Sequence, residues 1–364
     1  MTDVISEVRG RTGFITLNRP RALNALSLGM VRDLTATLLA WRDDDSVVAV
    51  AIRGSNKEGP FGAFCAGGDI RFFHQAALAG NPELEDFFTE EYTLNHLIHH
   101  YPKPYVAFMD GIVMGGGMGV SQGASLRIVT PRTRMAMPET HIGLFPDVGG
   151  GYFLSRCAGH LGEYLALTGQ ALDGAGAVAA GLADGLVPAD RLAGLWQALG
   201  SGTLDSAAAI EAHFATELVA DNGRPSWTPA FVDAHFGLGS VPAILASLEA
   251  DGSEWAKATA DTLRHRSPLM LHVVLEQVRR ARTMTLADDL RMERDLVRHC
   301  FHPAHLGRSG ATSETVEGIR ALAVDKDHSP RWNPARVEDV TPQMVAPFFA
   351  SPWPAHAHPL RALA

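Results

Sequence analysis

The spacing of apolar and polar positions changes period along the chain, and the changes predict its elements. Val4, Ile5 and Val8, then Phe14-Ile15-Thr16-Leu17, read as two short strands joined by a turn over 10–13. Asn18-Arg19-Pro20 interrupts the pattern, and Ser27 is the N-cap candidate for a helix over 28–41. Residues 47–52 form a short, nearly continuous apolar run, as expected of a strand buried on both faces. A helical stretch follows over 86–100, stopped before Pro102 and Pro104. Further strands are predicted over 105–109, 126–129 and 135–137. Strands alternating with helices make the fold class α/β.

Past position 190 the strand-like runs thin out. Residues 268–282 carry an apolar stripe at Leu271, Val274, Leu275 and Val278, and 287–300 is a second helical stretch. The division expected is therefore 1–190 as a core and 191–364 as a helical C-terminal region. Residues 221–229 read as a hinge or surface loop.

Composition narrows the classes. The chain has 364 residues, of which 46% are hydrophobic and 20% charged, enough apolar surface for a full core. Net charge is −9 with no Lys/Arg block, which argues against a nucleic-acid partner. Cys65, Cys157 and Cys300 form no CxxC pair, so neither a disulfide framework nor a zinc site is expected. The first residues lack the apolar core of a signal peptide and no run spans a membrane, so a cytoplasmic location is expected.

Two glycine turns are the first candidates for chemistry. Ala66-Gly67-Gly68-Asp69 and Gly115-Gly116-Gly117 each follow a strand and precede a helix. Glycine lets the backbone approach a ligand, and a helix start offers free N–H groups. Two such turns side by side would give two donors to one oxyanion. The plain alternative is close helix–strand packing, although three glycines at a helix start cost helix stability. A dinucleotide site fits poorly, because GxGxxG spacing is absent and position 130, where an acid should hold a ribose, is Thr.

The second candidate is the stretch 137–151, with Glu139 and Asp147 among Met137, Ile142, Leu144, Phe145 and Val148. Acids buried among apolar residues acquire raised pKa values, which suits acid–base work. The plain reading makes both acids helix caps. His141 reads as structural or solvent-facing, and Glu90-Glu91 by itself as a solvated helix face. No HExxH-like spacing occurs, so no metal is expected.

Together these segments resemble the crotonase (enoyl-CoA hydratase/isomerase) superfamily. The resemblance is carried by residues 18–26, by Phe64-Cys65-Ala66-Gly67-Gly68-Asp69-Ile70, by Lys103-Pro104-Tyr105 and by the triple glycine. Met137-Pro138-Glu139-Thr140, residues 143–154, and Glu317-Gly318-Ile319-Arg320-Ala321 with Ser329-Pro330-Arg331-Trp332 are most similar to its 3-hydroxyisobutyryl-CoA hydrolase branch. The resemblance implies a spiral of ββα turns followed by a helical region. It implies oxyanion donors at Ala66 and Gly116, catalytic acids at Glu139 and Asp147, and a substrate contact at Glu91. Arg21, Ala22 and Leu23 would touch CoA, and Gly67, Gly68 and Asp69 would complete the binding turn.

One departure separates the branches. Hydratases carry Gly-Gly-Gly-Cys-Glu, and here Met118-Gly119 follows the glycines, so the second glutamate is missing. The resemblance therefore implies hydrolysis of a short 3-hydroxyacyl-CoA, foremost 3-hydroxyisobutyryl-CoA of valine breakdown. No cofactor is expected beyond the CoA of the substrate, and the oligomeric state stays open. The alternatives are an enoyl-CoA isomerase or hydratase and a non-catalytic acyl-CoA-binding protein.

Overall fold

A computed structural model describes residues 2–219 and 227–364. The first six positions of the stretch read as a hinge or loop, 221–226, lie outside the described residues. The chain forms two compact units, each assembled from three separate stretches.

The first unit comprises 1–68, 93–136 and 171–226. Its strands are β1 (Val4–Arg9), β2 (Thr12–Leu17), β3 (Ala49–Gly54), β4 (Tyr105–Met109), β5 (Ile112–Met114), β6 (Leu126–Val129), β7 (Arg134–Ala136) and β8 (Gly185–Leu186). Six of them form one sheet in the order β1-β2-β3-β4-β6-β8, antiparallel at β1–β2 and parallel beyond. β5 and β7 pair in parallel as a second small sheet. β4 is buried throughout and β3 nearly so, as continuous apolar runs require of parallel strands covered on both faces. The helix Leu28–Arg42 starts where expected, with Ser27 Oγ accepting the Met30 N–H.

The expected cut at 190 is not where the contacts divide the chain. Leu192, Leu195, Trp196, Leu199, Ile210 and Phe214, all beyond that point, share a core with Phe14, Phe61 and Phe108. The Phe14–Trp196 rings meet edge to face at 4.7 Å. Those helices are the cover of the sheet, so they belong to the first unit.

The second unit comprises 69–92, 137–170 and 227–364 and contains no named strand among the described residues. Its longest helices include Pro268–Ala281 and Leu286–Phe301, near the two predicted stretches. Both present wide buried faces, including Leu271, Val274 and Val278 on one and Leu290, Leu296 and Val297 on the other. No described helix is long and apolar enough to cross a membrane.

Candidate active site

The first unit holds the two glycine turns against each other. Cys65 bridges in parallel to Val113 of β5. The N–H groups of Phe64 and Cys65 donate to the Ile112 carbonyl, and Met114 N–H donates to that of Cys65 (2.9 Å). A Cβ on Gly67 would lie 3.2 Å from Met114 O and 3.6 Å from Gly116 N, at φ +106°. A Cβ on Gly117 would overlap the Cys65 carbonyl. The glycines are thus required by turn-to-turn contact within the unit, and the contact leaves backbone N–H groups of both turns close together.

Which N–H groups are available differs from expectation. Ala66 N–H donates to the Leu23 carbonyl at 3.0 Å, so it is already engaged. Leu26 N–H reaches the Gly67 carbonyl at 2.8 Å, and Leu26 and Gly68 form a parallel bridge. Among the described residues the N–H groups of Gly68 and Gly116 have no partner. Gly116 opens the helix Gly116–Gln122, whose first N–H groups have no carbonyl within the helix to meet. The N–H groups of Gly67 and Gly117 are likewise without a partner, so the free donors of the two turns lie at Gly67–Gly68 and Gly116–Gly117, and Ala66 is a fastener.

Arg21, Ala22 and Leu23 lie beside this turn. Pro20–Ala22 is a 3-10 turn closed by Leu23 at φ 50°. Arg21 and Leu23 are exposed, and Leu23 supplies the carbonyl that holds Ala66. Asn24 fixes the segment: its Nδ2 donates to the carbonyls of Ser55, Ala63 and Phe64 at 2.8, 3.0 and 3.1 Å. Asp69 caps the helix Ile70–Ala79 by accepting the Phe72 N–H, a structural duty that explains it without a ligand.

The second unit holds the acids. Glu139 opens the 3-10 turn Glu139–Ile142, with no side-chain cap at its start, so the capping alternative falls. The backbone around it is tightly held. Leu144 N–H donates to the Glu139 carbonyl (3.0 Å), Thr140 Oγ1 to that of Leu167 (3.2 Å), and Thr315 Oγ1 to that of Gly143 (2.7 Å). Gly318 packs so closely on Ile142 that a Cβ would overlap its backbone. The side chain is buried, yet its Oε2 has no partner. Asp147 is also buried and accepts the Tyr92 hydroxyl at 2.9 Å. It does not cap the helix Gly150–Leu154, whose N-cap is Gly149.

Glu91 overturns the solvated-face reading. It is only 2% exposed, and its Oε1 has no partner. Its neighbour Glu90 is only partly buried. Three carboxyl groups consequently share one poorly solvated region and feel one another. Burial, then the charge of Asp147, pushes Glu139 well above the usual carboxylate range. Burial, then Asp147 and Glu139, does the same to Glu91. Asp147 is pushed up to about 7 by burial, with the Tyr92 hydroxyl opposing. Such a set keeps protons at neutral pH and holds both acid and base forms near one operating point. His141 is exposed, as expected.

Four residues here escaped sequence reasoning. Tyr92 follows Glu91 and orients Asp147. Glu293, Asp289 and Gln277 hold the Asp147 loop through backbone groups. A signal existed for two of them. Positions 289 and 293 fall within the apolar stripe formed by 286, 290, 297 and 300, and acids seldom sit on such a stripe unpaired. Among the described residues no group of three or more His, Cys, Asp or Glu could hold a metal ion.

Residues 12–349 match the family model described as enoyl-CoA hydratase/isomerase. The chain is 40% identical over 357 residues to the mitochondrial 3-hydroxyisobutyryl-CoA hydrolase of Danio rerio, covering 96% of this chain and 90% of the relative. It is 39% identical to that of Homo sapiens, with 96% and 89% covered. Among solved structures it resembles one titled carnitinyl-CoA dehydratase from Mycobacterium thermoresistibile, with TM-score 0.87, 40% identity and 97% and 98% of the two chains covered. An enoyl-CoA hydratase from Rhodobacter sphaeroides matches with TM-score 0.84, 35% identity and 96% and 98% covered. The cytoplasmic expectation is corrected here, since the curated relatives are named as mitochondrial proteins. The absence of a secretory signal core and of a membrane-spanning run does not distinguish the cytoplasm from an organelle.

Proposed function

The chain belongs to the enoyl-CoA hydratase/isomerase family, and from that premise we propose that it hydrolyses the thioester of a short 3-hydroxyacyl-CoA. The foremost candidate is 3-hydroxyisobutyryl-CoA, the compound in its curated relatives' name. The observation that carries the reading is the carboxyl set of the second unit. Glu139 Oε2 and Glu91 Oε1 are both buried without a partner, which is costly unless a ligand completes them.

The roles follow from chemistry. Gly68 and Gly116 N–H groups bind the thioester oxygen as it gains charge, an effect worth about 10²–10³ in kcat per donor. Glu139 in its ionised form attacks the carbonyl carbon, or takes a proton from a water that does. The C–S bond then breaks, CoA leaves as the thiol, and the acid is released after water is added. Asp147, held by Tyr92, keeps the proton inventory of the set and returns a proton to the leaving sulfur. Glu91 accepts the hydrogen bond of the substrate's 3-hydroxyl, which favours hydroxyacyl over plain acyl groups. CoA enters as part of the substrate.

The alternative is addition of water to an enoyl-CoA, since two solved relatives carry dehydratase or hydratase titles. Adding water across a double bond uses acids aimed at the α and β carbons, and Gly119 supplies none. Two assays separate the readings: thiol release from 3-hydroxyisobutyryl-CoA, and loss of enoyl absorbance from crotonyl-CoA. Thiol release with slow hydration is expected, and fast hydration without thiol release would overturn the proposal.

A further inference from the structure

The loop that carries Asp147 is held in an unfavourable conformation. Val148 has φ 57° and Gly149 φ 86°, two successive left-handed residues, the first β-branched. A β-branched residue adopts that region only when its surroundings impose it. The imposing group is Glu293, on the helix Leu286–Phe301. It is fully buried, its Oε2 accepts the Gly149 N–H at 2.8 Å, and its Oε1 accepts the Gly151 N–H at 3.0 Å. Asp289, one helical turn earlier, accepts the Tyr152 N–H at 2.8 Å. Gln277 Nε2 donates to the Pro146 carbonyl at 2.7 Å and to Glu293 Oε1 at 3.3 Å. Asp147 is therefore fixed at the carbonyl before it by Gln277 and at the N–H groups after it by Glu293, and its own carbonyl accepts the Gly150 N–H at 2.7 Å.

We propose that Glu293 is a positioning residue for the reaction, acting through Asp147 by holding the Val148–Gly149 turn that aims its carboxyl group. This deepens the reading given above and rests on Asp147 working in the hydrolysis. A cap for three N–H groups of a short helix needs no second buried carboxylate. A pair of them, four residues apart on one helix, holds the turn at three donors, and both Glu293 oxygens act as acceptors, a pattern a carboxamide does not reproduce. Glu293 also senses the Asp147 charge, which raises its own proton affinity after burial and Asp289. The acids of the loop and of the helix thus form one electrostatic set.

The test is a double-mutant cycle of Glu293→Gln with Asp147→Asn, assayed by thiol release from 3-hydroxyisobutyryl-CoA. A carboxamide keeps the volume but turns an N–H group toward one of the two loop donors. Glu293→Gln is expected to lower kcat by about tenfold to a hundredfold, the loss that misplacement of a reacting group by about 1 Å produces. KM should stay within about twofold, because uniform binding is untouched. In the double variant the loss should be no greater than in Asp147→Asn alone. Losses that multiply would overturn the proposal, as would unchanged kcat in Glu293→Gln. Unchanged kcat in Asp147→Asn would instead strike the underlying assignment of Asp147. Should Glu293→Gln fail to fold, Gln277→Met releases the Pro146 carbonyl at the other side of Asp147. That variant must then show the same kcat loss and the same non-additivity, or the proposal fails.

Discussion

Replacing Asp147 by Asn should make the protein more stable at alkaline pH while removing its activity. Burial raises this carboxyl from its ordinary 3.8 to about 7. In the unfolded chain the group ionises near pH 4, whereas in the folded protein it keeps its proton to about pH 7. The folded state therefore binds more protons between those values, and stability falls as pH rises across the window. Each pH unit is worth about 1.4 kcal/mol, so the window of about three units amounts to roughly 4 kcal/mol. Mutual influence of the acids divides that sum, and about 2–4 kcal/mol is a fair allotment to Asp147. Asn keeps the shape and an oxygen for the Tyr92 hydroxyl, and it never ionises. The variant should match the parent below pH 4 and gain steadily above it. For a chain of this length an unfolding entropy of about 2 cal/mol/K per residue converts the gain to a Tm rise of about 3–5 °C at pH 8. Differential scanning at pH 4.5, 6 and 8 reads the effect. A Tm difference independent of pH, or a variant less stable than the parent at pH 8, would refute the reasoning.

Other outcomes follow from the same geometry. Glu139→Gln should lower kcat by at least about a hundredfold and leave the Kd for an unhydrolysed acyl-CoA within a few-fold, since proton transfer and attack are lost while CoA contacts remain; isothermal titration with single-turnover assays checks both. Glu91→Gln should narrow the preference for 3-hydroxypropionyl-CoA over propionyl-CoA by about threefold to tenfold, the worth of one neutral hydrogen bond, because buried Glu91 keeps its proton, as read from kcat/KM for the pair. Gly117→Val should destabilise the protein by more than about 2 kcal/mol, because a Cβ there overlaps the Cys65 carbonyl and the backbone must move; urea denaturation measures it.

Elements were legible where one period ran unbroken. Ser27 and the apolar spacing after it located the helix Leu28–Arg42, and the continuous run at 105–109 located β4. Features decided by distant partners were not legible. Nothing in Ala66-Gly67-Gly68 states which N–H is free, because that depends on Leu23 folding back onto Ala66. Glu91 beside Glu90 looks like a solvated face, and only packing buries one and leaves the other partly open. Glu293 meets Gly149 across 144 positions, a separation no local pattern spans. The shift from strands to helices near 190 was real as a change of element type. It was misleading as a boundary, since Trp196 and Phe214 complete the core begun by Phe14.

The Asn24 side chain has a consequence for engineering. One amide ties the segment around Arg21 to the carbonyls of residues 55, 63 and 64, and a Cβ on Gly54 would crowd that same amide. Residues 19–26 and 54–68 are therefore a single transplantable cassette rather than two loops. A chimera that exchanges residues 19–26 alone would inherit a mismatched fastener under the 66–68 turn. It would lose the stability those three bonds supply, whereas moving both stretches together would carry the fastener with the graft.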